Sequence, residues 1–430
     1  METFRKHGSI CIQGEIEVPG DKSISHRAVI LGSIASGTTK VENFLDGEDC
    51  MRTVEAFRSM GVTIKKDKNT LLIYGNGIRG LREPLKPLYF GNSGTTARLM
   101  LGLLSGMPFS ATVYGDESLT KRPMDRVLEP LKKMGASVLG RQNNCYLPLT
   151  ISGGDLHGIT HTMSINSAQV KSSILLAGLN ASGLTKVIEN NRTRNHTENM
   201  LRAFGANINV VDNEITMDTT SELHATDIYV PGDISSAAFL IAAAAIKPNS
   251  DLLIKNIGLN ETRTGFLDIL AKMGSRVDIL NRRDIGGEEI GDVHITYHPL
   301  KAVTVEGDII PRLIDEIPII ALIATQANGR TIIRNAEELR VKETDRIKAV
   351  VDVLSTLGAK IHGTEDGMII EGVTPLSGGN VKSYSDHRIA MMTIIASLIT
   401  QDDVRIDDVS SISISYPKFK DDLNSVISTN

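Results

Sequence analysis

The chain has few cysteines and few aromatic groups: three cysteines, no tryptophan, and aromatic residues at 4% of 430. Cys11, Cys50 and Cys145 are odd in number and far apart. That excludes a disulfide framework and a cysteine-built zinc site, and it predicts a reducing, cytoplasmic compartment. A net charge of −5 and the scarcity of aromatics exclude the basic, stacking surface that nucleic acid requires, so any anion binding must be local. The opening "METFRKHGSICIQG" has no apolar signal core, and stretches such as "FLIAAAAI" at 239–246 are too short to span a bilayer, so neither a leader nor a membrane partner is expected. There is no GxxxxGK[ST] loop, and no GxGxxG follows a clear strand. "TRNHTENM" offers one His and one Glu without a second ligand at metal-binding spacing. No metal and no organic cofactor are expected.

What the sequence does have is a repeat. Six segments open with polar or Gly-rich residues at an apolar helix: "GDKSISHRAVILGSIA" from 20, "GNSGTTARLMLGLL" from 91, "NSAQVKSSILLAGL" from 166, "GDISSAAFLIAAAA" from 232, "DEIPIIALIAT" from 315 and "SDHRIAMMTIIASL" from 386. A strand follows each, and usually a second helix that stops near Gly61, Gly135, Gly205, Gly274 or Gly358. These glycines are 74, 70, 69 and 84 residues apart, too long a period for a solenoid. The pattern predicts an α/β protein of six βαβ-like units, three in each of two domains, and the length also favours two domains. Ile24, Ala28, Leu31 and Ala35 keep helical spacing and can face a core, while the openings at 238–246, 317–324 and 389–399 predict helices buried nearly all round. "EIEVPGD" at 15–21 is echoed by "DIYVPGD" at 227–233. Two such entrances predict two crossings between similar lobes: 20–228, and a discontinuous lobe of 1–19 with 229–430.

The helix entrances are crowded with cations. A helix N-terminus presents free N–H groups and a positive dipole end, which attract phosphate or carboxylate. Lys22 and Arg27, Arg122 in "SLTKRPMDR", Lys342 and Arg346 in "VKETDR", and Arg388 in "SDHR" add full charges, and such entrances from two lobes would converge on one cleft. Ser23 with Arg27, and Lys342 with Arg346, are four apart and are expected to share helix faces. A lone "KETDR" reads as surface ion pairing; the set at matching repeat positions reads as an anion site. Asp315 and Glu316, at the mouth of a very apolar helix, are either capping carboxylates or, beside so many cations, ionised bases. Glu343 is a second proton-transfer candidate. His26 and His387 either shuttle protons or bond loop backbone.

The set "PGDKSISHRA", "GNSGTTAR", "KRPMDR", "SAQVKSSILLAGL", "IDEIPIIA", "RVKETDRI" and "SDHRIAM" closely resembles the 5-enolpyruvylshikimate-3-phosphate (EPSP) synthase family, in order and over essentially the whole chain. "SAQVKSSILLAGL" and "TRNHTE" look like its class II bacterial branch. The resemblance implies two inside-out α/β domains, each of three βαβαββ repeats. It also implies transfer of the enolpyruvyl group of phosphoenolpyruvate to the 5-hydroxyl of shikimate 3-phosphate, toward chorismate and the aromatic amino acids.

By residue-for-residue matching it places Lys22, Ser23, Arg27, Ser167, Ala168, Gln169, Thr193, Arg194, Asp315 and Lys342 on shikimate 3-phosphate. Lys22, Gly94, Arg122, Gln169, Arg346 and Arg388 match the phosphoenolpyruvate side. Asp315, Glu343 and Lys22 would move protons. Glyphosate is the implied inhibitor and a monomer the implied state. Two departures or rivals stand beside this. Some family members carry a lysine where this chain has Ile414 in "SISISYPKF". UDP-N-acetylglucosamine enolpyruvyl transferase shares fold and donor, but it uses lysine-asparagine where this chain has Lys22-Ser23, and usually a cysteine in the loop corresponding to "GDESLTKRPM". A non-catalytic anion-binding or RNA-end-processing module is the rival of a different class.

Overall fold

The computed structural model describes residues 1–5, 8, 10–218 and 222–429. It divides into two compact units, one of Met1–Pro19, Pro231–Asp284 and Glu288–Asn430, the other of Gly20–Val230 with Ile285–Gly287. Among the described residues the buried apolar side chains form two clusters, one in each unit.

Six helices follow the polar entrances: α1 (Lys22–Ile34), α2 (Gly94–Ser105), α3 (Ala168–Gly178), α4 (Ile234–Ile246), α5 (Ile317–Thr325) and α6 (His387–Ser397). Five begin at a side-chain cap, in which Asp21, Ser93, Ser167, Asp233 or Asp386 accepts a backbone N–H of the first turn. In α5 the side chain of Glu316 makes no cap, and Pro318, which has no N–H to satisfy, stands in the first turn. These helices form the interior of each unit. Every residue of α4 and α5 is buried. So is α1 from Ile24 to Ile34, including Ser25, His26 and Ser33, which the apolar spacing alone does not single out.

The sheets share one grammar. The strand after each of these helices pairs parallel with one neighbour and antiparallel with another. Ser36–Glu42 lies between Ile228–Tyr229 and Thr70–Asn76, and Ser110–Tyr114 between Leu88–Tyr89 and Tyr146–Ser152. Thr185–Ile188 lies between Thr160–Thr162 and Glu214–Met217. In the other unit Asp251–Gly258 follows the rule with Ile10–Glu17 and Glu288–Thr296. Gly329–Ile333 does so with Thr304–Val305 and Met368–Gly372, and Val404–Ile406 with Gly379–Val381 and Glu2–Phe4.

Strands such as Thr70–Asn76 alternate buried and partly exposed residues, with one face on the helices. Sheets outside and helices inside invert the usual α/β layering. Gly61, Gly135, Gly205, Gly274 and Gly358 stop the second helices with φ between +88° and +110°, the left-handed conformation that a side chain resists. At Gly102 a Cβ would strike the carbonyl of Ser173, so its absence lets α2 and α3 pack closely.

Candidate active site

The residues singled out from sequence gather into two clusters, one in each unit. In the unit of Gly20–Val230 the mouths of α1, α2 and α3 supply the first. Arg27 is buried on α1. Its guanidinium donates to Thr197 Oγ1 at 2.6 Å, Ser172 Oγ at 2.8 Å and the Ser23 carbonyl at 3.0 Å. Ser172 in turn donates to the Ala168 carbonyl at 2.6 Å, joining Arg27 to the first turn of α3. Ser167 caps that helix by accepting the Val170 N–H. Gln169 accepts from Arg98 Nη1 at 2.8 Å and donates to Thr95 Oγ1 at 3.0 Å, so α2 and α3 hold each other's side chains.

Gly94 lies against two guanidinium groups. A Cβ there would sit 2.8 Å from Arg98 Nη1 and 3.3 Å from Arg122 Nη1. Arg122 is buried and bonds Asn92 Oδ1 and, at 3.1 Å, Ser118 Oγ. Lys22, at the start of α1, pairs with Asp49. Thr193 is buried, with its N–H and hydroxyl both on Glu189, and Arg194 beside it is half-buried.

His26 is fully buried beneath this cluster, with Nδ1 2.8 Å from Thr53 Oγ1. Thr53 continues to Thr96 and Thr96 to Ser93, a chain of hydroxyls that locks α1 to the mouth of α2. Burial, then the charges of Lys22 and Arg27, hold its pKa well below the ordinary histidine value. Its burial and its contact with Thr53 give His26 a structural place in this chain of hydroxyls. His387 is likewise buried.

The second cluster stands on α5, α6 and the helix Arg346–Thr356 of the other unit. Arg346 is 1% exposed and meets three carboxylates. Its Nε lies 2.8 Å from Asp386 Oδ2, Nη2 2.6 Å from Glu343 Oε2 and Nη1 3.3 Å from Asp315 Oδ1. Burial alone would lower the pKa of this guanidinium, but Asp386, Glu343 and Asp315 more than offset it, and the pKa stands above the ordinary arginine value.

Asp315 also has Lys342 Nζ at 3.6 Å and Arg388 Nη2 at 3.9 Å, while its carbonyl accepts from Arg388 Nη1 at 3.1 Å. Its carboxylate therefore faces three cations. Glu316 is buried and accepts from Ser235, which in turn accepts from Arg263 Nη2 at 2.6 Å.

One expectation needs correction. Lys342 and Arg346 do not share a helix face. Glu337–Val341 is a 3₁₀ turn, Lys342 is extended, and Asp345 caps a helix that begins at Arg346. The two cations meet through Asp315 instead. Sequence reasoning also passed over Arg98 and Asp386. Arg98 is four residues after Gly94 and turns to the same helix mouth, a signal that helical spacing contains. Asp386 stands in the quoted "SDHR" and serves at once as cap of α6 and partner of Arg346. Ile414 ends a 3₁₀ turn, half-buried. Among the described residues no group of three or more His, Cys, Asp or Glu side chains is arranged to hold a metal ion, and no helix is long and apolar enough to cross a membrane.

Comparison with known proteins places this geometry. The family model for EPSP synthase (3-phosphoshikimate 1-carboxyvinyltransferase) matches residues 7–423. The chain belongs to the EPSP synthase family. Relatives named 3-phosphoshikimate 1-carboxyvinyltransferase include one from Oceanobacillus iheyensis, 58% identical over 416 residues, with 97% of each chain covered. Another, from Bacillus subtilis, is 53% identical over 414 residues, covering 96% of this chain and 97% of that one. The solved EPSP synthase of Acinetobacter baumannii aligns over 100% of this chain and 99% of its own, with TM-score 0.88 and 43% identity. The enolpyruvyl transferase NikO from Streptomyces tendae shares the fold at TM-score 0.79 and 18% identity, covering 99% of this chain and 98% of its own. This arrangement is thus the enolpyruvyl transferase fold, two similar inside-out α/β domains. EPSP synthase membership does not favour the rival readings, and the segment Gly115–Met124 carries no cysteine.

Proposed function

We infer that this member of the EPSP synthase family transfers the enolpyruvyl group of phosphoenolpyruvate to the 5-hydroxyl of shikimate 3-phosphate, releasing phosphate and yielding 5-enolpyruvylshikimate 3-phosphate. The observation that carries this is the family match over residues 7–423 together with relatives of that activity along nearly the whole chain. Both substrates are anions, and the two clusters supply what anions need. Lys22, Ser23, Arg27, Ser167, Ala168, Gln169, Thr193, Arg194, Asp315 and Lys342 are assigned to shikimate 3-phosphate. Lys22, Gly94, Arg122, Gln169, Arg346 and Arg388 are assigned to phosphoenolpyruvate. The lobes are assigned as 20–228 and as 1–19 with 229–430.

The chemistry is an addition followed by an elimination. The hydroxyl oxygen bonds to the carbon bearing the phosphate ester, the hydroxyl proton leaves, and the neighbouring methylene gains a proton, giving a tetrahedral ketal. The C–O bond to phosphate then breaks, the methyl group returns a proton, and the double bond re-forms. Asp315 is the base at the hydroxyl. Lys342, Arg346 and Arg388 around it favour the ionised carboxylate that this role requires. Glu343, the more exposed of the acids on Arg346, or Lys22 carries the proton at the methylene carbon. The arginines stabilise the carboxylate and the departing phosphate.

Glyphosate, an anion bearing a phosphonate, is assigned as a competitor of phosphoenolpyruvate. The working state is a monomer in the cytoplasm. The test is phosphate release with both substrates present, set against each alone. Release is expected only with both; release from phosphoenolpyruvate alone overturns the transferase reading. Shikimate 3-phosphate alone is expected to raise the melting temperature, because it binds the native state.

A further inference from the structure

Beneath the shikimate side of the first cluster lies a buried ionic triad that the reaction does not use. Lys171 is 0% exposed, and its Nζ lies 2.6 Å from Glu198 Oε1 and 3.1 Å from Glu189 Oε2. Both glutamates are buried. Three charged groups out of water are costly unless their geometry is good, and apolar residues of similar volume would often serve stability as well or better. The triad's connections suggest what it does beyond stability.

Glu189 turns its second oxygen to Thr193, accepting the N–H at 3.0 Å and the hydroxyl at 2.5 Å. Lys171 donates to the Thr193 carbonyl at 3.4 Å. Thr193 is thus held at N–H, hydroxyl and carbonyl, and Arg194 follows it directly. Glu198 belongs to the helix His196–Ala203, whose Thr197 accepts from Arg27 Nε. Ser172, the neighbour of Lys171 on α3, meets the same guanidinium and also Thr197, at 2.7 Å. One ammonium therefore ties together α3, the Thr193–Arg194 segment and the helix that braces Arg27.

We propose that Lys171, Glu189 and Glu198 are positioning residues for the phosphate of shikimate 3-phosphate, fixing Arg27 and the Thr193–Arg194 segment relative to the mouth of α3. The proposal rests on the substrate assignment above. It concerns one substrate only, because Arg122 and Gly94 are not among the groups the triad joins.

The test measures the dissociation constant of shikimate 3-phosphate by calorimetry, beside the Michaelis constant for phosphoenolpyruvate and the melting temperature. Wild type comes first, and failure to bind shikimate 3-phosphate there would refute the substrate assignment rather than this proposal. Glu189→Gln removes the charge facing Lys171 with little change in size. It is expected to weaken shikimate 3-phosphate binding about 10-fold, the scale of a charge-assisted hydrogen bond, and to change the phosphoenolpyruvate constant by less than about 2-fold. Should that variant fail to fold, the neutral triple variant Lys171→Met, Glu189→Gln, Glu198→Gln leaves no buried charge uncompensated and is expected to show the same selective loss. Unchanged shikimate 3-phosphate affinity in a folded variant overturns the proposal. Equal losses for both substrates overturn it too, since they would mark a general loosening of the unit.

Discussion

The two clusters hold arginine in opposite ways. Around the mouths of α1, α2 and α3, Arg27, Arg98 and Arg122 bond hydroxyls, amides and carbonyls, among them Thr197, Ser172 and Ser23, Gln169, and Asn92 and Ser118. Such partners orient a guanidinium through its N–H groups. In the second cluster, Arg346 and Arg388 are set against Asp386, Glu343, Asp315 and Glu316. There carboxylates stand around the guanidinium groups where hydroxyls and amides stand in the first cluster. The first arrangement suits a receptor for phosphate, and the second suits proton transfer beside an anion. The difference lies in the partners, not in the arginines.

The comparison can be broken most sharply at Arg346. Arg346→Met leaves Asp386 buried without its main partner, and losing one member of a buried pair costs about 3–5 kcal/mol, so a large fall in melting temperature is expected. Near-native melting would mean that the acids of this cluster do not depend on Arg346. Next comes Asp315→Asn, which keeps shape and removes basicity. Turnover is expected to fall about 100-fold or more, the scale of a general base, with shikimate 3-phosphate affinity held within a few-fold by calorimetry. Near-wild-type turnover would remove Asp315 as the base.

Arg27→Lys keeps the charge but not the fork that meets Thr197 and Ser172. With the guanidinium no longer oriented, shikimate 3-phosphate binding is expected to weaken roughly 10- to 100-fold, the scale of charge-assisted hydrogen bonds, and the melting temperature to fall by less than in Arg346→Met. A melting loss as large as that of Arg346→Met would erase the distinction between the clusters.

Gly94→Ala sharpens it further. The new methyl presses on the guanidinium groups of Arg98 and Arg122, and overpacking of this kind costs about 1–3 kcal/mol. Glyphosate inhibition is expected to weaken about 10-fold, and phosphoenolpyruvate binding by less, because the inhibitor is longer. Equal proportional changes in the inhibition and Michaelis constants would refute the steric account.

The smallest effect concerns His26. Its folded pKa lies below the unfolded value, so the unfolded chain takes up a proton that the folded chain refuses, and stability falls as pH falls below about 6.5. Between pH 6.5 and 5.5 this amounts to about 1 kcal/mol, and His26→Asn is expected to remove that slope in denaturant titrations at the two pH values. An unchanged slope would mean that His26 is charged, and that the first cluster holds one more cation than described.

Much of this was legible in the chain. Polar entrances before apolar runs marked five side-chain caps, and the five glycines after the second helices all stand in the left-handed region. The cations announced themselves by type and place. Their partners did not, because Arg27 meets residues 145 and 170 positions away, and nothing local to Ser172 or Thr197 separates them from any other buried hydroxyl. Reading Lys342 and Arg346 as one helix face failed on local grounds. The capping signal of Asp345 lies between them, and a cap ends the helical spacing on its N-terminal side. Lys171 stood inside the quoted "SAQVKSSILLAGL", but nothing local to it marked its partners. The two glutamates that hold it come from a strand end and from another helix.

One feature of the sheets bears on how the chain matures. The strand Ile10–Glu17 pairs with Asp251–Gly258 on one edge and with Ile427–Thr429 on the other, while Glu2–Phe4 pairs with Val404–Ile406. Gly20–Val230, by contrast, draws the strands of its four sheets, counted among the described residues, from within its own span. On the ribosome the inner segment therefore has every strand partner as soon as Val230 emerges, and it can fold while the rest is still being made. Ile10–Glu17 must wait for Asp251–Gly258, and Glu2–Phe4 for Val404–Ile406. Their long-range closure is the slow step expected of so non-local a pairing.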